Sequence, residues 1–275
     1  MELTVRFQSK SSITYMFRNF AQLFFVTLPV SVLLAFFYNA RLETDLFVNL
    51  VGGRINAENF FNEFARCFTV LRFGRYWWVD CLAVILLAYT MCILVVKIDR
   101  HMRIGEMLTL PLKRAFGIFP IMLAYVVCWI VVSEVFMLII VGVVYMLRFL
   151  PSAEAIVGIG FGLTLIVRAF LMYIFCLLVI TFPLKYSENY RINVAMSYSA
   201  RLMVKKRGLM LLLSLTYPLA RYAVMVLAYF ARPLDVIVYA VAIFFALTYI
   251  PCFAFKQYYD DVGGERRDVS QIMFG

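Results

Sequence analysis

Charge is scarce in this chain. Asp, Glu, Lys and Arg make up only 15% of its 275 residues, and 64% are hydrophobic. A soluble domain carries about a quarter charged residues and about half apolar ones. With a mean hydropathy of +0.89, the excess is larger than a soluble core absorbs, and it predicts an integral membrane protein. Histidine is nearly missing, with His101 the single example, and no Cys-x-x-Cys pair occurs among the six cysteines. Zinc and iron–sulfur centres need several such ligands at set spacings, so neither a metal nor another cofactor is expected. Strict polar–apolar alternation is lacking too. Long unbroken apolar runs stand in its place, which excludes a transmembrane barrel and predicts an all-α, polytopic helix bundle.

What charge there is has the wrong distribution for nucleic acid. The net charge is +10, and the basic residues gather at the ends of apolar runs. Six runs are long enough to span, at about 20–38, 77–96, 116–147, 156–183, 208–231 and 236–255; a bilayer requires ~20 residues. With both termini cytoplasmic, 17 of the 26 Lys and Arg fall inside, 7 outside and 2 within spans. The acids divide almost evenly, and orientation follows Lys and Arg rather than net charge. Both termini are therefore expected on the cytoplasmic side. The N-terminal residues lack the small-x-small site of a cleavable leader.

Residues 41–76 form the longest expected extracytoplasmic segment. Within it Phe60, Phe61, Phe64, Cys67, Phe68 and Leu71 recur at helical spacing, which predicts an amphipathic helix. Cys67 and Cys81 fall on the same side, where a disulfide is open to them. Tyr76, Trp77 and Trp78 make an aromatic belt before the second span. Gly158, Gly160 and Gly162 suggest close helix contact or a local kink in the fourth.

The stretch Ser187–Ala231 shows the chain's repeating unit most clearly. Asn193, Ser197, Arg201 and Lys205 recur every fourth residue and so share one helical face. Lys205-Lys206-Arg207 follows, then an apolar run. This predicts a helix lying in the membrane plane, a basic hinge and a helix entering the bilayer. Ser197 and Ser199 are expected to face water or to cap. Arg18, Arg114 and Arg207 each precede an odd-numbered span, and each of those spans carries a proline: Pro29, Pro120 and Pro218. Six transmembrane helices arranged as three repeated hairpins are expected. Mitochondrial carriers share that count, but their odd helices need an acid two residues after the proline. Ser31, Met122 and Ala220 stand there instead, which excludes them.

The segment Glu188-Asn189…Ala195-Met196-Ser197-Tyr198-Ser199…Lys205-Lys206-Arg207 resembles an element before the fifth span of one bacterial group. That group holds the YciC-like inner-membrane proteins and the membrane domain of glycerophosphodiester phosphodiesterases. The resemblance runs loosely over the whole six-span chain and implies a bacterial cytoplasmic-membrane protein. No phosphodiesterase catalytic domain is found in these residues, so the resemblance implies no reaction.

Four charged residues fall in or near the spans: Asp80, Glu134, Arg168 and Arg221. Glu134 and Arg168 are equally far from Pro151, so antiparallel helices would place them at one depth. There they form either a structural ion pair or a substrate or proton site. Asp80, beside Trp78, reads as interfacial, and Arg221 is deep for simple snorkelling. Asp99 and His101 lie beside Arg100 and Arg103 with no nucleophile or oxyanion donor to assign, and no catalytic residue is expected. Arg18, Lys113, Arg114, Arg201, Lys205, Lys206 and Arg207 form a basic set suited to anionic lipid or a protein partner, which includes a second copy. The expected function is non-enzymatic: structural, scaffolding or envelope-maintaining. The alternative is a transporter of a lipid or small amphipathic solute.

Overall fold

Lipid offers no partner to a backbone amide, so apolar runs of this length must satisfy their own N–H and C=O groups as helices. The computed structural model describes residues 12–37, 45–46, 48–49, 77–104, 112–147 and 153–262. Among these, no residue is in a strand. The elements are α1 (Ser12–Arg18) and α2 (Phe20–Phe37), then α3 (Trp77–Ile104), α4 (Leu112–Met146), α5 (Ala153–Leu178) and α6 (Thr181–Glu188). They continue with α7 (Ile192–Val204), α8 (Arg207–Phe230), a 3-10 turn at Arg232–Leu234, and α9 (Asp235–Val262). The expected amphipathic segment around residues 60–71 and Cys67 lies outside the described residues.

Among the described residues, five helices are long and apolar enough to cross a membrane, and six if α1 and α2 count as one span bent by 89°. The chain is thus a multi-pass membrane protein by the length and hydropathy of its helices. Pro29, Pro120 and Pro218 all lie inside helices, one in each odd-numbered span. The fourth span is interrupted. Its α5 half ends at Leu178, and α6 begins after two turn residues, Val179 and Ile180. Pro183 explains the break: it has no N–H to offer the carbonyl of Val179, and its ring crowds that carbonyl.

The spans pack in chain order into a ring. α2 lies against α3, α3 against α4, α4 against α5, α5 against α8, α8 against α9, and α9 closes on α2. Three antiparallel hairpins laid side by side give this order. Inside the ring, toward the end where α6 lies, α3, α6 and α9 also touch one another. There the chain is buried on every side, through Cys92–Asp99 and through Pro251–Phe255. Two apolar clusters fill that end. One joins Met16, Leu23, Cys92, Ile98, Met122 and Phe255, and the other joins Ile180, Leu184, Met203, Leu209 and Tyr258. Elsewhere the buried residues fall into three smaller clusters.

Two short helices pack against the filled end. α1 packs on α9 through Phe17 and Phe245, whose ring centroids are 6.3 Å apart. α7 packs on α5, α6 and α8 through Ala195, Ser199 and Met203, one face at a spacing of four. Asn193, Ser197, Arg201 and Lys205 are exposed on the opposite side, as their periodicity predicts.

The glycines correct one expectation. A methyl group added at Gly158 or Gly162 would meet nothing within 4 Å, so neither allows close helix contact. Gly160 is buried, and its carbonyl accepts from Thr164 Oγ1 at 2.8 Å.

Candidate functional site

The second span does not end where its hydropathy falls. Helix α3 runs on through Lys97, Asp99 and His101 to Ile104. Lys97 is 3% exposed and Asp99 4%, because the ends of α6 and α9 close over them. A buried charge needs partners. Lys97 Nζ donates to the carbonyl of Gln22 in α2 at 3.3 Å. Asp99 Oδ1 accepts from Ser187 Oγ in α6 at 2.8 Å and from Tyr259 OH in α9 at 2.8 Å.

A third bond completes the set. Tyr258 OH donates to Glu188 Oε1, joining α9 to α6. Every pair among α3, α6 and α9 is now tied: Asp99–Ser187, Asp99–Tyr259 and Glu188–Tyr258. These are the last turns of the three even-numbered spans, so the triangle stands at the centre of the threefold arrangement. Hydroxyl-to-carboxylate bonds are charge-assisted and about twice as strong as neutral ones. The arrangement fixes the distances among three helix ends. On its border, Tyr15 OH of α1 lies 2.8 Å from His101 Nδ1. Among the described residues, no three His, Cys, Asp or Glu side chains are grouped to hold a metal ion.

The sequence holds a partial signal for this site, in two of its three carboxyl-bearing span ends. Each even-numbered span ends on a lysine with an acid two to four residues later: Lys97 and Asp99, Lys185 and Glu188, Lys256 and Asp260. Asn189 completes the middle copy. Its φ of 54° is left-handed, a conformation that Asn tolerates and β-branched residues do not. It caps α6, and its Oδ1 accepts from Lys185 Nζ at 3.3 Å. The Glu-Asn pair quoted for the bacterial resemblance thus marks a carboxylate in the triangle and the helix stop that follows it.

The four intramembrane charges are spread over several interfaces. Trp129 meets Phe175 and Phe136 meets Phe170, with ring centroids 5.3 and 5.9 Å apart, and these pairs set the register of α4 on α5. Glu134 therefore faces the level of Leu171, about one turn (~5 Å) from Arg168. Arg168 is 8% exposed, and Glu134 is half-buried. Arg221 belongs to the next interface. Its neighbour Tyr222 donates to the Phe161 carbonyl at 3.4 Å, which sets Arg221 about two turns (~10 Å) from the level of Arg168. Asp80 lies in the first turn of α3, beside exposed Trp78. Glu134, Arg168 and Arg221 each engage neighbours.

Of the basic set, Arg18, Arg201, Lys205 and Arg207 are exposed and Lys206 is half-buried. Lys113 and Arg114 occupy the first turn of α4, with side chains outside the described part. Ser197 is exposed, as expected. Ser199 is not: it is fully buried, and its Oγ donates to the Leu177 carbonyl at 2.7 Å. At the far end, Arg232 Nη2 lies 3.6 Å from Asp45 Oδ1, with both side chains largely in the open, where such a pair contributes little.

No protein-family model, no curated protein and no solved structure matches this chain. The functional reading rests on the residues and their placement.

Proposed function

We propose that this chain is a non-enzymatic membrane protein of the bacterial cytoplasmic membrane, with a structural or scaffolding role exerted through anionic lipid at its basic end. One observation carries the reading. Helix α7 is seated on the bundle by Ala195, Ser199 and Met203, and it turns Arg201 and Lys205 outward beside exposed Arg207. Exposed Ile192, Met196, Val194 and Tyr198 flank that polar stripe on both sides. A helix of this kind lies at the level of lipid headgroups, its basic edge toward phosphate and its apolar flanks toward acyl chains. Each Lys or Arg held near an anionic surface adds about 1 kcal/mol of attraction. The excess of Lys and Arg at this end favours the cytoplasmic leaflet. The resemblance of the 188–207 segment to bacterial inner-membrane proteins agrees with that placement.

The test is thermal unfolding of detergent-purified protein with added phosphatidylglycerol or phosphatidylcholine. Phosphatidylglycerol should raise the midpoint more. The gap should close in the combined variant Arg201→Gln, Lys205→Gln and Arg207→Gln. Equal stabilisation of the parent by both lipids would end this reading.

A second reading, transport of a lipid or small amphipathic solute, is favoured by buried Arg168 in mid-span. A cation held there suits an anionic group crossing the bilayer. In that case Arg168→Gln abolishes transport in cells while the purified variant stays folded.

A further inference from the structure

The break in the fourth span is enclosed by protein: Val179, Ile180, Thr181, Pro183 and Leu184 are all buried. Irregular backbone inside a membrane bundle persists where its polar groups find partners. At the end of α5, the Cys176 carbonyl accepts from Val179 N at 3.4 Å and the Leu177 carbonyl from Ser199 Oγ of α7 at 2.7 Å. The Val179 carbonyl gets no such bond along the chain, because Pro183 stands four residues on and has no N–H. Helix α6 then starts without a side-chain cap. Its first residue is Thr181, 3% exposed, and the Thr181 Oγ1 is buried with no hydrogen-bond partner. Thr27, Thr164 and Thr248, also buried in helices, each donate to a carbonyl four residues back. A buried hydroxyl left over at a gap in the helical ladder marks a place for a polar occupant.

The groups at the break select the charge of that occupant. A helix ends on carbonyls with no N–H of their own helix to bond, and its C-terminus carries partial negative charge. Helix α5 brings such an end, 26 residues long. Helix α6 has eight residues, and Pro183 removes one N–H from its first turn. Acceptors therefore outnumber donors, which favours a cation. Hard cations take oxygen ligands, backbone carbonyls among them, and the carbonyls of interrupted spans suit sodium. The oxygens offered here are neutral, which suits a single positive charge. We infer that the break is a site for a small monovalent cation of the sodium class, with Thr181 Oγ1 and the carbonyl oxygens at the end of α5 as its ligands. Helix α7 closes over it. Ala195 and Met203 pack in one cluster with Val179 and Ile180, and Ser199 takes up the Leu177 carbonyl. The site lies on the bundle side of α7, opposite the basic edge, and is independent of lipid binding there.

Thermal unfolding of the full chain in a neutral detergent tests this, with sodium chloride set against choline chloride at constant ionic strength. Sodium should raise the midpoint by a few degrees over choline, and the rise should saturate, as binding at one site requires. Thr181→Val removes the ligand oxygen at nearly constant shape and should abolish the difference. Thr181→Ser keeps the oxygen and should keep the difference. Pro183→Ala returns an N–H to the Val179 carbonyl and should weaken the response to sodium. Equal midpoints of the parent in the two salts would overturn the inference, as would a sodium effect untouched by Thr181→Val. If that variant does not fold, a sodium effect untouched by Pro183→Ala overturns it instead.

Discussion

Tyr259 and Asp99, 160 positions apart, meet at 2.8 Å with the phenol donating to a carboxylate that is almost fully buried. The bond joins the last turns of the second and sixth spans. With Ser187 on the same oxygen and Tyr258 on Glu188, it closes the triangle that holds three helix ends together. Removing one donor leaves buried negative charge less well solvated. Tyr259→Phe should lower stability by about 1–3 kcal/mol. Ser187→Ala should act in the same direction, and the two losses should be non-additive because both donors serve one oxygen. Thermal unfolding in detergent measures this. Strict additivity would mean that the two hydroxyls do not share Asp99.

The backbone at Asn189 gives a prediction of a different kind. Its left-handed conformation suits Gly and Asn but strains a residue with a branched Cβ. Asn189→Gly should change stability by only a few tenths of a kcal/mol, and Asn189→Val should cost roughly 1–2 kcal/mol. The same melting assay reads both. Equal behaviour of the two variants would show that the left-handed cap is not needed.

Gly158 and Gly162 lie in α5 with open space where a methyl group would go. Each loses backbone freedom on folding without a packing return. Gly158→Ala and Gly162→Ala should each stabilise by about 0.4–1 kcal/mol. Destabilisation would mean that a further surface covers this face of α5.

Glu134 and Arg168 stand about one turn apart in level, within reach of a long arginine side chain. Glu134→Gln or Arg168→Gln should lower the melting temperature, and the double variant should recover part of the loss, since an uncompensated charge is worse than none. Fully additive losses would assign each residue a separate partner.

The spans were legible because hydropathy is a local property: ~20 apolar residues announce a helix wherever they occur. The surface helix was legible for the same reason, since Asn193, Ser197, Arg201 and Lys205 keep a period of four. The triangle was not. Its bonds join residues 88, 70 and 160 positions apart, and no window of sequence contains both partners. Charge at the end of an apolar run also misleads. Lys97 and Asp99 look like the water-facing end of a span, and only the convergence of α6 and α9 over them makes them interior. Ser199 was legible from the same period: two residues after Ser197 it stands about 200° around the helix from the polar stripe, on the buried side with Ala195 and Met203.

The central claim is that the end bearing α7 meets anionic lipid. Native mass spectrometry of the protein released from nanodiscs of equal phosphatidylglycerol and phosphatidylcholine tests it most directly. Phosphatidylglycerol should be enriched among the retained lipids, and the enrichment should disappear in the variant combining Arg201→Gln, Lys205→Gln and Arg207→Gln. Retention of the two lipids in equal amounts by the parent protein, or an enrichment untouched by the three substitutions, would contradict the account.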